Sequence, residues 1–391
     1  VAAPVSGRTF DLAVVGAGIC GLAHALAAAR RGLSVVVIDR DARANGASVR
    51  NFGFVTVTGQ ERGTTWRRAM RSRDVWAEIA GPAGIAVEHR GLAVVARRPE
   101  ARAVLEAFLE TEMGEGCELL EPVAAAGRLP VLSGEPIAGV LWSPHELRVE
   151  SRTAIPKLAA YLAEHHGVVF RRGIAVLGVE PPVVTTGAGE VRAERVVVCP
   201  GDDLVSLYPG RLATYGLTRC KLHMLRVAAP SEGFRLPAAV MSDLGLVRYL
   251  GYAALPEAAA LKARLSAEQP EALANGVHLI AVQSADGSLV VGDSHHYDAT
   301  PDPFAPQAVD DIILDELSAV LAIPAPVVVE RWTGTYASAA DRTMLVDTPH
   351  PRVRLVVISS GTGASTSFAI AEEVLDDLFG AAAPATAEEI A

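Results

Sequence analysis

The sequence predicts an α/β fold in which a parallel-sheet unit, drawn from both ends of the chain, is interleaved with a β-rich (α+β) middle. Three observations predict it. The first 40 residues read strand, Gly-rich turn, helix, strand; residues 353–379 repeat strand, Gly turn, helix; and the chain between carries strand-length apolar runs with no repeat or flexible linker. At 391 residues, half of them hydrophobic and one fifth charged, the chain suits two or three packing units and excludes global disorder.

The opening segment is the most legible. Leu12 to Val15 is a short apolar strand running into Gly16-Ala17-Gly18-Ile19-Cys20-Gly21. Leu22 to Arg31 is Ala-rich, with Leu22, Ala25, Leu26 and Ala29 at helical spacing, and Gly32 ends it. Ser34 to Ile38 is a second buried strand closing on Asp39, 18 residues after Gly21. This is a Rossmann β-α-β unit with parallel strands. Gly16 permits the tight turn, Gly18 lets backbone N–H groups approach a pyrophosphate, and Gly21 lets helix and strand pack closely. The helix N-terminus favours phosphate charge, and Asp39 suits a ribose diol.

Farther along, Thr64 to Ala80 reads as an amphipathic helix, Glu88 to Ala96 as a strand and Pro99 to Met113 as a helix. Gly134 to Val149 reads as loop and strand, Ile155 to His166 as a helix, and Val168 to Val179 and Val191 to Val198 as strands, the last stopping at Cys199-Pro200-Gly201. Lys221 to Val227, Val247 to Tyr252, Val277 to Gln283 and Ser288 to Gly292 supply the β-rich middle, followed by a helix over Ala308 to Leu321. Val353 to Ile358 is a strand turning at Gly361-Thr362-Gly363 into a helix over Thr366 to Phe379, and the Ala/Pro-rich tail from Gly380 is expected to fray.

A net charge of −10 without basic blocks argues against a nucleic-acid partner. Four cysteines without a C-x-x-C pair form no disulfide framework and fit a reducing, cytoplasmic setting. No apolar run reaches membrane-spanning length, so no membrane partner is expected.

Four signals in order then resemble the D-amino acid oxidase, glycine oxidase and sarcosine oxidase superfamily. They are the N-terminal unit, Gly46-Ala47-Ser48-Val49-Arg50-Asn51-Phe52-Gly53, the strand ending in Cys199-Pro200-Gly201, and the Gly361-Thr362-Gly363 turn. The runs Cys220 to Arg226, Gly292 to Tyr297 and Trp332 to Ser338 are similar to a bacterial subgroup associated with aminophosphonate metabolism. His223 and Ala364-Ser365-Thr366 depart from that subgroup's pattern. The resemblance implies a glutathione-reductase-type FAD-binding Rossmann domain (residues 1–80, 145–215 and 325–391) interleaved with a β-rich (α+β) substrate domain (residues 81–144 and 216–324). It implies oxidation of a C–N bond in a small, anionic amine, with oxygen or another acceptor reoxidising the flavin. A 2-hydroxy acid or natural-product substrate, and a non-catalytic electron relay, stay open as alternatives.

The cofactor residues so expected are Gly16, Gly18, Gly21, Asp39, Arg40, Ser48, Asn51, Val176, Cys199, Gly201, Gly361, Gly363, Ala364, Ser365 and Thr366. Covalent attachment in the family uses a cysteine after the Trp332 position; Thr333 to Ser338 has none, so FAD is expected to be held non-covalently. The simple amino acid oxidases also place a carboxylate-gripping Arg near that motif, where this chain has Tyr336. The substrate-site candidates are Arg248, Tyr249, His223, His295 and Tyr336. An Arg fork binds a phosphonate or carboxylate with two prongs, and Arg248 beside Tyr249 is favoured over Arg50. Lys221, His223 and Leu225 share one strand face, which suggests a polar cavity wall. Asp293, His295 and His296 sit too close in sequence for a closed metal site, and no metal is expected. Cys199 and Cys220 read as small buried hydrophobes.

Overall fold

A computed structural model describes residues 8–323 and 325–381. The tail expected to fray lies, from residue 382, outside the described residues.

Two sheets organise these residues. In the first, strands Val353–Ile358, Gly189–Val198, Thr9–Val15, Val35–Asp39 and Val169–Arg172 run parallel in that order, with Met344–His350 antiparallel at one edge. Its central strands bury both faces, which is why they read as unbroken Val/Leu/Ile runs. Helices Ile19–Ala29, Thr64–Ala80, Ser151–His166 and Gly363–Phe379 cover one face, with Leu22, Trp76, Leu158 and Phe368 packed on Leu12, Val14, Val35 and Val37. The other face buries Phe10, Ala13, Val36 and Ile38 with Val184, Val191 and Leu345.

The second sheet is ten-stranded and mostly antiparallel. Thr218–Val227 pairs with Val328–Ser338 on one side and with Leu289–Gly292 and His296–Asp298 on the other. Ile280–Gln283, Ala239–Ser242, Val87–Ala96, Gly139–Val149, Glu118–Leu120 and Phe54–Val55 complete it. Helices Pro99–Leu109, Ala258–Glu268 and Gln307–Val320 bury Leu105, Phe108, Leu261, Leu265, Ile313 and Leu317 into its core. Phe54–Val55 and Val328–Ser338, which the expected boundaries put with the cofactor unit, pair in this second sheet.

Two expectations need correction. Val247 to Tyr252 is not a strand: the chain makes a 3-10 turn at Asp243–Val247 and a helical turn at Leu250–Ala253. Asp243, fully buried, accepts from the Arg97 N–H and the Arg98 guanidinium, bending the chain straight after Ala239–Ser242. Gly251 then abuts Gly59, whose carbonyl accepts its N–H. The expected strand from Val168 to Val179 is two strands, Val169–Arg172 and Val176–Glu180, broken where Gly173 adopts φ +70°. No helix among the described residues is long and apolar enough to cross a membrane.

Candidate active site

A cavity of about 760 Å³ runs from the carboxyl ends of Thr9–Val15 and Val35–Asp39 to the second sheet. That is where open α/β sheets bind ligands. At the first end, Gly16 turns at φ +104°, and a Cβ on it would stand 2.4 Å from the Cys199 carbonyl oxygen. A Cβ on Gly21 would lie 1.8 Å from the Gly16 oxygen, so the helix and the loop touch backbone to backbone. Gly18 is the residue ahead of the helix and has no side chain of its own to cap it. The loop is held by two side chains. Asp39 Oδ2 accepts from the Ala17 N–H at 2.5 Å, and Ser48 Oγ accepts from the Ile19 N–H at 2.9 Å. Arg40 lies across the mouth, paired with Asp203. A glycine cradle, a helix N-terminus and an acid at the end of the second strand fit the pyrophosphate and ribose of FAD.

The C-terminal turn closes the same cavity. Gly361 has φ +73°, and a Cβ there would meet the Tyr336 ring at 3.1 Å. Ser365 Oγ accepts from the Thr56 N–H and the Ala364 carbonyl accepts from Trp76 Nε1, which ties this turn to the segment after Asn51. Asn51 itself is locked, accepting from the Gly53 N–H and the Ser151 hydroxyl and donating to the Ala47 carbonyl.

At the other end, Arg248 Nη2 donates to the Tyr297 hydroxyl at 2.7 Å, the only hydrogen bond of its guanidinium among the described residues. No carboxylate of the described residues is within ion-pair distance of it. Near it, Tyr249, His278, Asp293 and His295 line the wall. Tyr249 Oη lies 3.3 Å from His278 Nε2, and the acid and imidazole ligand atoms of His278, Asp293 and His295 fall within 4.8 Å of one another. Burial pushes the Asp293 carboxyl up to about 8, and burial holds both imidazoles well below their usual range, so the rings are neutral.

Of the residues singled out in the sequence, Gly16, Gly18, Gly21, Asp39, Arg40, Ser48, Asn51, Val176, Cys199, Gly201, Gly361, Gly363, Ala364 and Ser365 line this cavity. So do Arg248, Tyr249, His295 and Tyr336. His223 does not. It is 1 % exposed on the opposite face of its strand from the cavity-lining Leu222, with Nδ1 3.3 Å from Asp310 beneath helix Gln307–Val320. Lys221 shares that face and donates to Asp302 and the Phe304 carbonyl, so the Lys/His side is a buried polar seam and not a cavity wall. Thr366 also lies off the cavity; its hydroxyl donates to the Thr362 carbonyl inside the helix's first turn. Sequence reasoning missed His278 and Tyr297. His278 belongs to no motif and precedes an apolar strand; Tyr297 ends the Gly292 to Tyr297 run, but it reaches the cavity only because Thr218–Val227 pairs with His296–Asp298.

Comparisons with known proteins agree on this architecture. The sequence profile described as FAD dependent oxidoreductase matches residues 11–376. The bifunctional protein ThiO/ThiG of Nostoc sp. is 28% identical over 252 residues, covering 59% of this chain and 36% of that protein. The chain thus spans about a third of the length of the curated relatives it matches. Glycine oxidase from Geobacillus kaustophilus superposes with a TM-score of 0.75 at 20% identity, over 97% of this chain and 96% of that one. L-proline dehydrogenase from P. horikoshii gives 0.76 at 17% identity, over 95% and 94%. L-amino acid deaminase from Proteus vulgaris gives 0.76 at 16% identity, over 99% and 97%. At such identities the superpositions establish the fold.

Proposed function

The chain belongs to the FAD dependent oxidoreductase family, and on that footing we propose that it oxidises a C–N bond in a small amine that carries an anionic group. The observation that carries the reading is Arg248. A guanidinium on the cavity wall, with one hydroxyl partner and no carboxylate, is set to take an anion from a ligand. Asp293 lines the same wall without pairing to Arg248, so the cavity offers separate places for an anionic group and for an amine nitrogen. Glycine oxidase, L-proline dehydrogenase and L-amino acid deaminase, by their names, act on amino acids, which carry both. Within the class, the motifs around Cys220, Gly292 and Trp332 favour an aminophosphonate.

Bound FAD would accept the electrons lost from the carbon–nitrogen bond. The loop Gly16–Gly21, Asp39 and Ser48 would hold its dinucleotide part, and Ser360 to Ser365 would close over it. The two cysteines on the cavity, Cys20 and Cys199, belong to the dinucleotide end, which supports a non-covalent cofactor. We assign the first sheet to the cofactor and the second to the substrate, with the expected limits near residues 80, 145, 215 and 325 holding except for Phe54–Val55 and Val328–Ser338, which go with the second sheet.

The test is Arg248→Ala, followed by anaerobic bleaching of the flavin with an anionic amine and with a neutral amine of equal size. Losing a charge-assisted contact of about 1.5–3 kcal/mol should lower kcat/KM for the anionic amine by roughly 10- to 200-fold. Arg248→Lys should recover part of it, because an ammonium lacks the two-pronged geometry. Equal losses for both amines would refute Arg248 as the anion anchor.

A further inference from the structure

Asp293 and the two imidazoles beside it are buried titratable groups to which the amine reading gives no chemical task. Asp293 is 4% exposed, His278 3% and His295 8%. His278 Nδ1 stands 3.4 Å from Asp293 Oδ1, and His295 Nε2 stands 3.7 Å from Oδ2. Neither contact is a good hydrogen bond. His278 Nδ1 and Asp293 Oδ1 are both buried without a hydrogen-bond partner among the described residues. His295 donates its Nδ1–H to the Gly276 carbonyl at 2.9 Å, so its Nε2 turns a lone pair toward the carboxylate. A cavity wall that presents an orphan carboxylate oxygen beside a ring lone pair lacks a proton-bearing partner, and a ligand can bring one.

We propose that Asp293 accepts the proton of the substrate's ammonium group, with the His295 Nε2 lone pair facing the carboxyl that results. This assignment rests on the amine reading above. The step is one proton transfer. An N–H bond of the ammonium breaks, an O–H bond forms on the ionised Asp293 carboxylate, the form that prevails above pH ~8, and the nitrogen keeps the electron pair that C–N oxidation requires. Nothing is oxidised or reduced in it.

The electrostatics suit that task. An ordinary carboxylate, with a pKa of ~3.9, holds a proton about 10⁶-fold less well than an alkylamine of ~10.4. With Asp293 raised to about 8 by burial, against the pull of Arg248, the gap shrinks to roughly 10². The groups that surround Asp293 come from every packed element. Arg248 and Tyr249 come from the helical turns, His278 from the segment ahead of Ile280–Gln283, and His295 and Tyr297 from its own segment. Cys220 comes from Thr218–Val227 and Tyr336 from Val328–Ser338. Burial raises the tyrosines and the thiol and lowers the imidazoles, which leaves Arg248 as the only ion among these neighbours at neutral pH. A titration near pH 8 in this pocket is therefore that of Asp293.

Asp293→Asn keeps the side chain's size and removes the acceptor. The first readout is flavin reduction by an amine under anaerobic conditions, from about pH 6 to 10. In the wild type the rate per mole of amine should climb through pH ~8; in the variant it should climb only toward the amine's own pKa of ~10. The variant should then fall behind the wild type below pH ~8 and draw level with it toward pH ~10, its limb shifted upward by about two pH units. The second readout needs no turnover. Calorimetric binding of 2-aminoisobutyrate, which has no C–H to lose at the amine carbon, is repeated in buffers of different ionisation enthalpy. The wild type should release about one proton at pH ~7 and none at pH ~9, while the variant releases the same number at both. A variant with the wild-type pH profile, or one slowed equally at every pH, overturns the assignment. If Asp293→Asn does not fold, the wild type decides alone: no limb near pH ~8 and no change in proton release also overturn it. Failure of every amine to bleach the wild-type flavin would sink the amine reading and this assignment with it. Bleaching with an unaltered Asp293→Asn profile sinks only the role of Asp293.

Discussion

Replacing Gly21 with alanine should cost far more flavin affinity than the same change at Gly18, although both belong to one loop. At Gly21 the new Cβ would sit 1.8 Å from the Gly16 carbonyl oxygen and 2.9 Å from its carbon. The two nearest atoms are backbone, with Val14 Cγ1 behind them at 3.2 Å, so helix Ile19–Ala29 and the turn must part by more than about 1 Å in a close-packed core. Strain of that kind costs about 3 kcal/mol, which is a loss of more than 100-fold in binding if FAD requires the native loop. At Gly18 the Cβ would stand 2.9 Å from Ser48 Oγ, a hydroxyl that can turn away. The change then costs the Ile19 N–H···Oγ hydrogen bond, about 1 kcal/mol and roughly a five- to tenfold loss. Valine at Gly18 would add branches toward the cavity and lose more. The assay is fluorescence titration of each apoprotein with FAD, checked by the flavin-to-protein absorbance ratio after gel filtration. Equal affinities, or a Gly18→Ala protein weaker than Gly21→Ala, would refute this account of the loop.

Three further outcomes are expected. Arg148→Met removes a wholly buried guanidinium that serves Glu150 at 2.9 Å, Ser284 and the Phe52 carbonyl, so stability should fall by about 3–5 kcal/mol, read as the urea midpoint; an unchanged midpoint contradicts it. Asp293 is raised to about 8, so the native state keeps a proton that the unfolded chain releases above pH ~4, and stability should fall as pH rises toward 8; the depressed imidazoles of His278 and His295 oppose this only below pH ~6.5. Urea midpoints at pH ~6.5 and ~8.5 should therefore converge in Asp293→Asn, and a slope unchanged by the substitution argues against the raised carboxyl. The Cys20 thiol is pulled down to about 5, chiefly by its hydrogen bond with Cys199, whereas burial pushes Cys117 up to about 11. Iodoacetamide at neutral pH should label Cys20 first in the apoprotein and spare it when FAD is bound, with mass spectrometry as the check.

What the sequence made legible, and what it did not, divides along a physical line. The dinucleotide loop is local: its glycines, helix and acid lie within residues 16–39, and each acts on near neighbours in the chain, so spacing alone locates them. The substrate wall is not local. Arg248, His278, Asp293 and Tyr336 come from four segments that meet only because ten strands of one sheet pair in a particular order. Arg248 was legible as a cation beside a tyrosine, yet the strand assigned to it was wrong. The run Val247 to Tyr252 reads as a strand, while a buried Asp243 tied to Arg98, 145 positions away, makes helical turns instead.

His223 failed for the complementary reason. Strand periodicity correctly separates His223 from Leu222, but periodicity carries no label for which face meets the cavity. That choice is made by helix Gln307–Val320, whose Asp310 draws the imidazole and Arg331 to itself and leaves Leu222 to face the ligand. The same rule explains why His295 lines the cavity and its neighbour His296 does not. His296 pairs with Lys221 along the sheet edge, on the side of the polar seam, and the register of that one pairing turns His295 inward, against Asp293. The makeup of this cavity wall therefore depends on strand register more than on motif, and a one-residue slip at His296–Asp298 would carry Tyr297, the sole hydrogen-bond partner of the Arg248 guanidinium among the described residues, to the opposite face.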